Sequence, residues 1–210
     1  MTNLHQFPVQ FKGSKFALWV LNLLGWSMHF NGLPAKHGVI VVYPHTSNWD
    51  FCIGVIAKWA MGIELNFLAK DSLFKVPLLG TWMRYLGGRP VVRKSPQGYV
   101  ENLVKEMGQS SYFWVVITPE GTRKYSPGWK SGFYRLAHQA QVPVGLAFID
   151  YSKKEIGVTE FINLSGDEDM DLEIFKERYR HRMGFHRNKM APITMLNPGQ
   201  SKEKSFKNKE

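Results

Sequence analysis

The sequence predicts an α/β fold in a single domain. Short runs rich in β-branched residues alternate with stretches of helix length, an order typical of strands and helices packed in layers. With 210 residues, of which 44% are hydrophobic, the chain can bury one substantial core. We find no internal repeat and no interdomain linker in the sequence, so one domain is expected.

The predicted strands are short, apolar and bounded by turn residues. They cover residues 38–43, 112–117, 142–149 and 154–161, with one more short strand beside Gly87 and Gly88. Stretches of helix length cover residues 49–62, 72–86, 97–107, 131–141 and 168–182. These elements predict a sheet flanked by helices.

An apolar run near the N-terminus, residues 16–28 (FALWVLNLLGWSM), is shorter than the roughly 20 residues of a membrane-spanning helix. We therefore expect no transmembrane helix. The run is rich in aromatic residues and leucine and follows Lys12 and Lys15, which is typical of a helix in the headgroup region of a membrane. An ordinary buried helix is the alternative. Because no small-x-small cleavage site follows the run, we expect it to be retained.

The balance of charge indicates an anionic partner. Lys and Arg number 27 against 17 Asp and Glu, which gives a formal net charge of +10. The partner can be nucleic acid, a membrane surface or a phosphorylated substrate. The single cysteine, Cys52, excludes an internal disulfide and a cysteine-rich metal site.

The first candidates for chemistry are His45 and Asp50, in a segment that follows the first predicted strand and opens the next helix. Ligand sites in open α/β sheets lie at this carboxyl edge. A histidine can act as a general base near neutral pH, and a nearby carboxylate can orient its ring and stabilise the imidazolium. By spacing alone, a helix-capping Asp and an incidental His are the favoured explanation.

The second candidate is the segment TPEGTR, residues 118–123, which directly follows another predicted strand. Gly121 permits close approach of the backbone to a ligand, and Arg123 offers a planar fork suited to phosphate oxygens. Glu120 can orient that arginine or contact a substrate hydroxyl. These residues indicate a phosphate-bearing substrate, although a solvated turn with a surface ion pair explains them equally well.

A third segment, residues 70–93, adds paired glycines and basic residues beside the short predicted strand: Lys70, Arg89 and Arg93. These cations can face the same sheet edge as the other two candidates. Read alone, the segment slightly favours turn glycines and ordinary surface arginines.

Taken together, four segments resemble, in order and spacing, the four blocks of the glycerolipid acyltransferases, the lysophospholipid acyltransferases related to 1-acylglycerol-3-phosphate acyltransferase. They are HTSNWD (45–50), KDSLFKVPLLGTWMRYLGGRPVVR (70–93), TPEGTR (118–123) and VPV (142–144). The resemblance covers residues 39–151, and a His-x4-Asp box together with an EGTR box is far more specific than either box alone. It implies a glycerol-phosphate-acyltransferase-like sheet flanked by helices.

The resemblance implies a role for each site residue. His45 is expected to be the catalytic base and Asp50 the carboxylate that orients it. The residues expected to bind the acceptor are Glu120, Gly121, Thr122, Arg123 and Arg93, with Lys70 as a further cation at the same edge.

The implied reaction moves a fatty acyl group from acyl-CoA or acyl carrier protein to the free hydroxyl of a lysophospholipid. With 1-acyl-sn-glycerol-3-phosphate as acceptor, the product is phosphatidic acid. His45 takes the hydroxyl proton, and the reaction needs no acyl-enzyme, bound cofactor or metal. The expected partners are the lysophospholipid, the thioester donor and an anionic membrane surface, but not nucleic acid.

The resemblance and the charge pattern also divide the chain. We expect an N-terminal membrane-interface segment (1–35), an acyltransferase domain (36–192) and a basic polar tail (193–210) that is disordered. The protein is expected to be peripheral or monotopic on the cytoplasmic face of a membrane.

Other functions fit the sequence less well. The sequence has no Gly-x-Ser-x-Gly elbow of a serine hydrolase, which residues 128–132 only approximate. It also has no His-Glu-x-x-His pattern of a zinc site. Two alternatives stay open: an acyltransferase for another lysolipid, and a non-catalytic basic protein that binds membranes.

Overall fold

Strands and helices alternate in the computed structural model, which describes residues 7–91 and 96–196. The helices are α1 (Lys15–Leu23), α2 (Trp49–Met61), α3 (Asp71–Phe74), α4 (Leu79–Tyr85), α5 (Pro96–Gln109), α6 (Gly132–Ala140) and α7 (Glu168–Tyr179), followed by a 3₁₀ turn at Arg187–Lys189. The strands are β1 (Ser27–Phe30), β2 (His37–Val42), β3 (Asn66–Lys70), β4 (Gly88–Val91), β5 (Phe113–Ile117), β6 (Val144–Asp150) and β7 (Glu155–Ile162).

The strands of the described residues form one seven-stranded sheet in the order β1-β7-β6-β2-β5-β3-β4. Neighbours from β6 to β4 are parallel, β7 is antiparallel to β6, and β1 is parallel to β7. The carboxyl ends of β2, β5 and β3 therefore meet at one edge of the sheet. The loops that carry the candidate residues begin at this edge.

The sheet has an apolar core on each face. Side chains alternate along β2, so Val39 and Val41 point to one face while Ile40 points to the other. The first face is covered by α5, α6 and α7, with Phe175 of α7 fully buried. The second face is covered by α1 and α2, and Ile53 of α2 lies in its core. The α/β sheet flanked by helices is confirmed.

Four predicted strands correspond to β2, β5, β6 and β7, and the predicted short strand corresponds to β4. β1 and β3 were not predicted. β1 begins at the end of the apolar run 16–28, after α1 ends at Leu23 and Gly25 takes a φ of +79°. β3 has no β-branched residue and is half-buried over most of its length. It therefore has neither the β-branched run of a buried strand nor the apolar–polar alternation of a half-buried strand.

The predicted helix over residues 72–86 is two helices instead of one. α3 ends at Phe74 and α4 begins at Leu79, with Pro77 between them. Proline has no N–H to donate and disfavours helical backbone in the residue before it, so it separates the two helices.

α1 has one buried and one exposed face. Ala17 and Leu21 pack in the core beside α2, whereas Phe16, Trp19 and Leu23 are exposed. The buried face agrees with the buried-helix alternative, and membrane contact by the exposed face stays a prediction. Among the residues that the structure describes, no helix is both long enough and apolar enough to cross a membrane.

Part of the predicted polar tail is described. Met195 bridges to Trp129, and the N–H of Leu196 donates to the carbonyl oxygen of Trp129 at 2.8 Å. Residues 197–210, and with them the predicted disorder, lie outside the described residues.

Candidate active site

His45 and Asp50 are in direct contact at the carboxyl edge of the sheet. Nδ1 of His45 lies 3.1 Å from Oδ2 of Asp50. The Asp50 side chain is almost fully buried, while that of His45 retains 18% of its exposure. With Nδ1 directed at the carboxylate, Nε2 is the ring nitrogen that can take a proton from a substrate.

Asp50 is held by donors from three directions. Its Oδ2 accepts the N–H groups of Thr46 (2.8 Å) and Ser47 (2.9 Å) in the turn that opens α2. Its Oδ1 accepts the hydroxyl of Tyr151 at 2.8 Å. Burial acts to raise the pKa of Asp50, but the hydrogen bonds from His45, Ser47 and Tyr151 and the nearby His45 charge together hold that pKa below its usual value. Asp50 is therefore an ionised, fixed acceptor for the imidazole.

Glu120 is buried beneath the His45 loop. Oε2 accepts the backbone N–H of His45 at 2.6 Å, and Oε1 accepts the backbone N–H of Ala191 at 3.2 Å. Burial raises the pKa of Glu120 to about 7, against the opposing effect of these two donors, and the charge of Asp50 adds to the rise. Both carboxylate oxygens thus accept hydrogen bonds from the protein's own backbone, and the residue is 1% exposed.

Gly121, Thr122 and Arg123 lie nearer the surface than Glu120 does. Gly121 has a φ of +63°, a backbone conformation that residues with a Cβ rarely adopt, so the position favours glycine. Oγ1 of Thr122 accepts the N–H of Lys124 at 3.2 Å. Arg123 is exposed.

The second block contributes less to the described site. Lys70 is exposed at the end of β3, which pairs with β5 ahead of the TPEGTR segment. It therefore lies at the expected sheet edge. Arg93, predicted to bind the acceptor, lies outside the described residues.

An apolar cavity of about 210 Å³ lies between α2 and the sheet, and His45 and Asp50 are part of its wall. The rest of the wall is almost entirely hydrophobic and includes Phe51, Val55, Met61, Leu65, Phe67 and Ile149. A proton acceptor thus stands beside a space suited to a hydrocarbon chain.

Sequence reasoning missed Tyr151 and the segment that follows α7. The Tyr151 ring packs edge-on against Trp26 and Phe185, with centroid distances of 4.9 and 5.1 Å. The backbone N–H of Tyr151 donates to the carbonyl oxygen of Met183. A lone tyrosine so far along the chain from Asp50 carries no local signal of this contact.

The same segment braces both candidate loops. The N–H of His186 donates to Oγ1 of Thr46 at 3.1 Å, and Ala191 binds Glu120 through its N–H. The carbonyl oxygen of Ala191 also accepts the hydroxyl of Tyr43 at 2.7 Å. Residues 183–191 are therefore part of the site's framework.

Four backbone donors at this edge are already engaged. The N–H groups of Thr46 and Ser47 bind Asp50, that of Trp49 binds Oγ of Ser47, and that of Gly121 binds the carbonyl oxygen of Thr118. Across the described residues, no three His, Cys, Asp or Glu side chains are grouped as metal ligands would be.

Known proteins resemble this chain in sequence and in fold. A sequence model of the family described as Acyltransferase matches residues 27–145. A 1-acyl-sn-glycerol-3-phosphate acyltransferase of Streptococcus pneumoniae is 28% identical over 134 residues, which cover 58% of this chain and 48% of that protein. The chloroplastic 1-acyl-sn-glycerol-3-phosphate acyltransferase BAT2 of Brassica napus is 28% identical over 109 residues, which cover 48% of this chain and 30% of that protein.

The matches thus span about half or less of the length of these curated relatives. The crystal structure of the 1-acyl-sn-glycerophosphate acyltransferase PlsC of Thermotoga maritima superposes with a TM-score of 0.53 at 21% identity, covering 81% of this chain and 79% of that one. That likeness establishes the shared fold. Because the family model spans more than half of the sequence and includes the His45–Asp50 and TPEGTR segments, the chain belongs to the Acyltransferase family.

Proposed function

We propose that this protein transfers a fatty acyl group from acyl-CoA or acyl carrier protein to the free hydroxyl of a lysophospholipid at a membrane surface. The observation that carries the proposal is the His45 imidazole, fixed by a buried, ionised Asp50 at the wall of an apolar cavity. A base for the hydroxyl and a space for the acyl chain stand side by side there.

In the proposed reaction, Nε2 of His45 takes the proton of the acceptor hydroxyl as that oxygen attacks the thioester carbonyl carbon. The imidazolium that forms is stabilised by Asp50, whose donors keep it ionised. When the tetrahedral intermediate collapses, the carbon–sulfur bond breaks and the thiolate takes the proton from His45. The base is thereby restored and no acyl-enzyme is formed.

We propose 1-acyl-sn-glycerol-3-phosphate as the acceptor and phosphatidic acid as the product. The names of both curated relatives support this acceptor. The exposed cations Lys70 and Arg123 at the same sheet edge suit a phosphate, as does Arg93 from the sequence pattern. Glu120 and Gly121 contribute through the loop's shape, since both carboxylate oxygens of Glu120 bind backbone.

We further propose that residues 1–35 dock the acyltransferase domain, residues 36–192, on the cytoplasmic face of a membrane. Phe16, Trp19 and Leu23 are exposed on one face of α1, and Lys12 and Lys15 precede them. An apolar face with basic neighbours is the arrangement that binds anionic lipid surfaces.

The test is acyl transfer by purified protein on anionic vesicles, with lysophosphatidic acid and either thioester donor. Wild type should form phosphatidic acid, and folded His45→Ala should lose most of its turnover, with circular dichroism as the check on folding. If only a different lysolipid were acylated, the proposed acceptor would be wrong. Turnover by folded His45→Ala equal to that of wild type would contradict the mechanism.

A further inference from the structure

The two short helices α3 and α4 expose an unusual amount of apolar surface. In residues 73–85, which we call the α3–α4 wedge, the exposed large apolar side chains are Leu73, Val76, Leu78, Trp82 and Tyr85. Leu78 is 87% exposed and Tyr85 is 81% exposed. Single exposed apolar residues are ordinary, but a group of this kind in one short segment marks a binding surface.

Leu78 stands at the turn of the wedge with an unfavourable backbone. Its φ is +64° and its ψ is −52°, and the N–H of Leu79 donates across it to the carbonyl oxygen of Pro77 at 2.7 Å. This γ-turn geometry is strained for a residue with a Cβ. Because the Leu78 side chain points into solvent, core packing does not offset the strain. A partner that buries this side chain would offset the strain.

Basic residues flank the apolar group. Lys70, Lys75 and Arg84 are exposed along the wedge and its start, and the acidic residue of that stretch, Asp71, pairs with Lys75 at 3.0 Å. Exposed aliphatic and aromatic side chains mixed with cations match the chemistry of an anionic lipid surface.

The wedge borders the same groove as the exposed face of α1. This open groove has a volume of about 970 Å³, and its walls include Phe16 and Val20 of α1, Trp59 of α2, and Tyr85 of the wedge. Because α1 and the wedge meet around one groove, they can contact one surface together.

The wedge also touches the candidate active site. The ring of Trp82 lies edge-on to the ring of Phe51, with centroids 6.1 Å apart. Phe51 follows Asp50 in α2 and lines the apolar cavity that His45 shares. A lipid surface beneath the wedge would therefore lie next to the cavity.

We propose that the α3–α4 wedge is a second membrane-contact element, which inserts Leu78 into the interface of an anionic bilayer. It acts together with α1 and brings the lipid surface to the cavity. The purpose of this docking rests on the proposed function. Whether the wedge binds membranes does not, because membrane binding can be measured without any turnover.

Two substitutions at Leu78 test this role in the full-length protein. Leu78→Gly removes the side chain and suits the positive φ, so it should leave the melting temperature unchanged or raise it. Leu78→Asp adds a charge that anionic lipid repels. Met170→Asp is the matched control, since Met170 is 59% exposed on α7, which packs on the opposite face of the sheet.

Binding is measured by sedimentation with vesicles of phosphatidylglycerol and phosphatidylcholine, without substrate. We expect the dissociation constants of both Leu78 variants to rise about fivefold or more and that of Met170→Asp to stay near wild type. Turnover of Leu78→Gly on dispersed short-chain substrates, without vesicles, should match wild type, which separates docking from chemistry.

Three results would overturn the proposal. They are vesicle binding by Leu78→Gly equal to wild type, no binding of anionic vesicles by wild type, and a loss of self-association in Leu78→Asp on analytical ultracentrifugation. The last result would make the wedge an interface between copies of this chain.

Discussion

The hydroxyl of Tyr151 and the carboxylate of Asp50 are joined by a hydrogen bond of 2.8 Å. This bond occupies Oδ1 of Asp50, while Oδ2 faces Nδ1 of His45. Tyr151 thereby sets the orientation of the carboxylate that sets the orientation of the imidazole. We regard it as a positioning residue.

Tyr151→Phe should lower kcat about tenfold and change KM little. The loss of one hydrogen bond to a charged group costs about 1.5 to 3 kcal/mol, and here the cost falls on the alignment of the base. The measurement is steady-state kinetics on vesicles.

Tyr112→Phe is the control for Tyr151→Phe. The Tyr112 hydroxyl is buried and has no hydrogen-bond partner among the described residues, so its removal should leave kcat unchanged. An equal loss of kcat in both variants would contradict the positioning role of Tyr151.

Stability should depend on pH through Glu120. Burial raises the pKa of this carboxyl to about 7 in the folded protein, above its value of about 4.5 in the unfolded chain. The folded state therefore binds the proton more tightly between these values. This contribution is complete below about pH 4.5 and is lost as the pH rises through about 7.

Urea unfolding of wild type and Glu120→Gln over pH 5 to 8 tests this linkage. Titration of Glu120 should lower the unfolding free energy of wild type by on the order of 3 kcal/mol across this interval. The unfolding free energy of the variant should depend less on pH. Identical slopes in both proteins would mean that Glu120 does not titrate in this range.

Gly54→Leu should shift donor preference toward shorter acyl chains. Gly54 lines the apolar cavity, and a Cβ built there meets no heavy atom within 4 Å, so a side chain can enter the space. The isobutyl group then takes up part of about 210 Å³. The measurement is kcat/KM over a series of acyl chain lengths.

Gly108→Leu is the matched control for Gly54→Leu. Gly108 is exposed on α5, away from the cavity, and its built Cβ also meets no atom within 4 Å. It should leave the chain-length profile unchanged. The proposed acyl site would be wrong if both variants kept the wild-type profile.

Arg123→Ala should raise the KM for lysophosphatidic acid about tenfold while kcat stays close to wild type. An exposed guanidinium that binds phosphate before and during the reaction contributes uniform binding. Lys124→Ala, an exposed neighbour in the same loop, is the comparison. A KM that changes equally in both variants would indicate a general charge effect instead of a specific contact.

The sequence by itself determined the α/β class, most of the strands and the two loops of the candidate site. Buried strands such as β2 and β5 carry β-branched runs that burial in a parallel sheet requires, so the pattern is local and readable. Parallel order then brings the loops after them to one edge. The nearness of the two loops follows from that order, whereas the contact of the buried Glu120 carboxylate with the backbone of His45 does not.

Only the tertiary structure decided how the site is supported. Tyr151 reaches Asp50, and Ala191 reaches both Glu120 and Tyr43, across long separations in sequence. These contacts depend on chain crossings and packing angles, which leave no periodic pattern in the residues involved. The strained turn at Leu78 is of the same kind, since the chain's path between α3 and α4 sets the backbone of a residue whose type gives no sign of it.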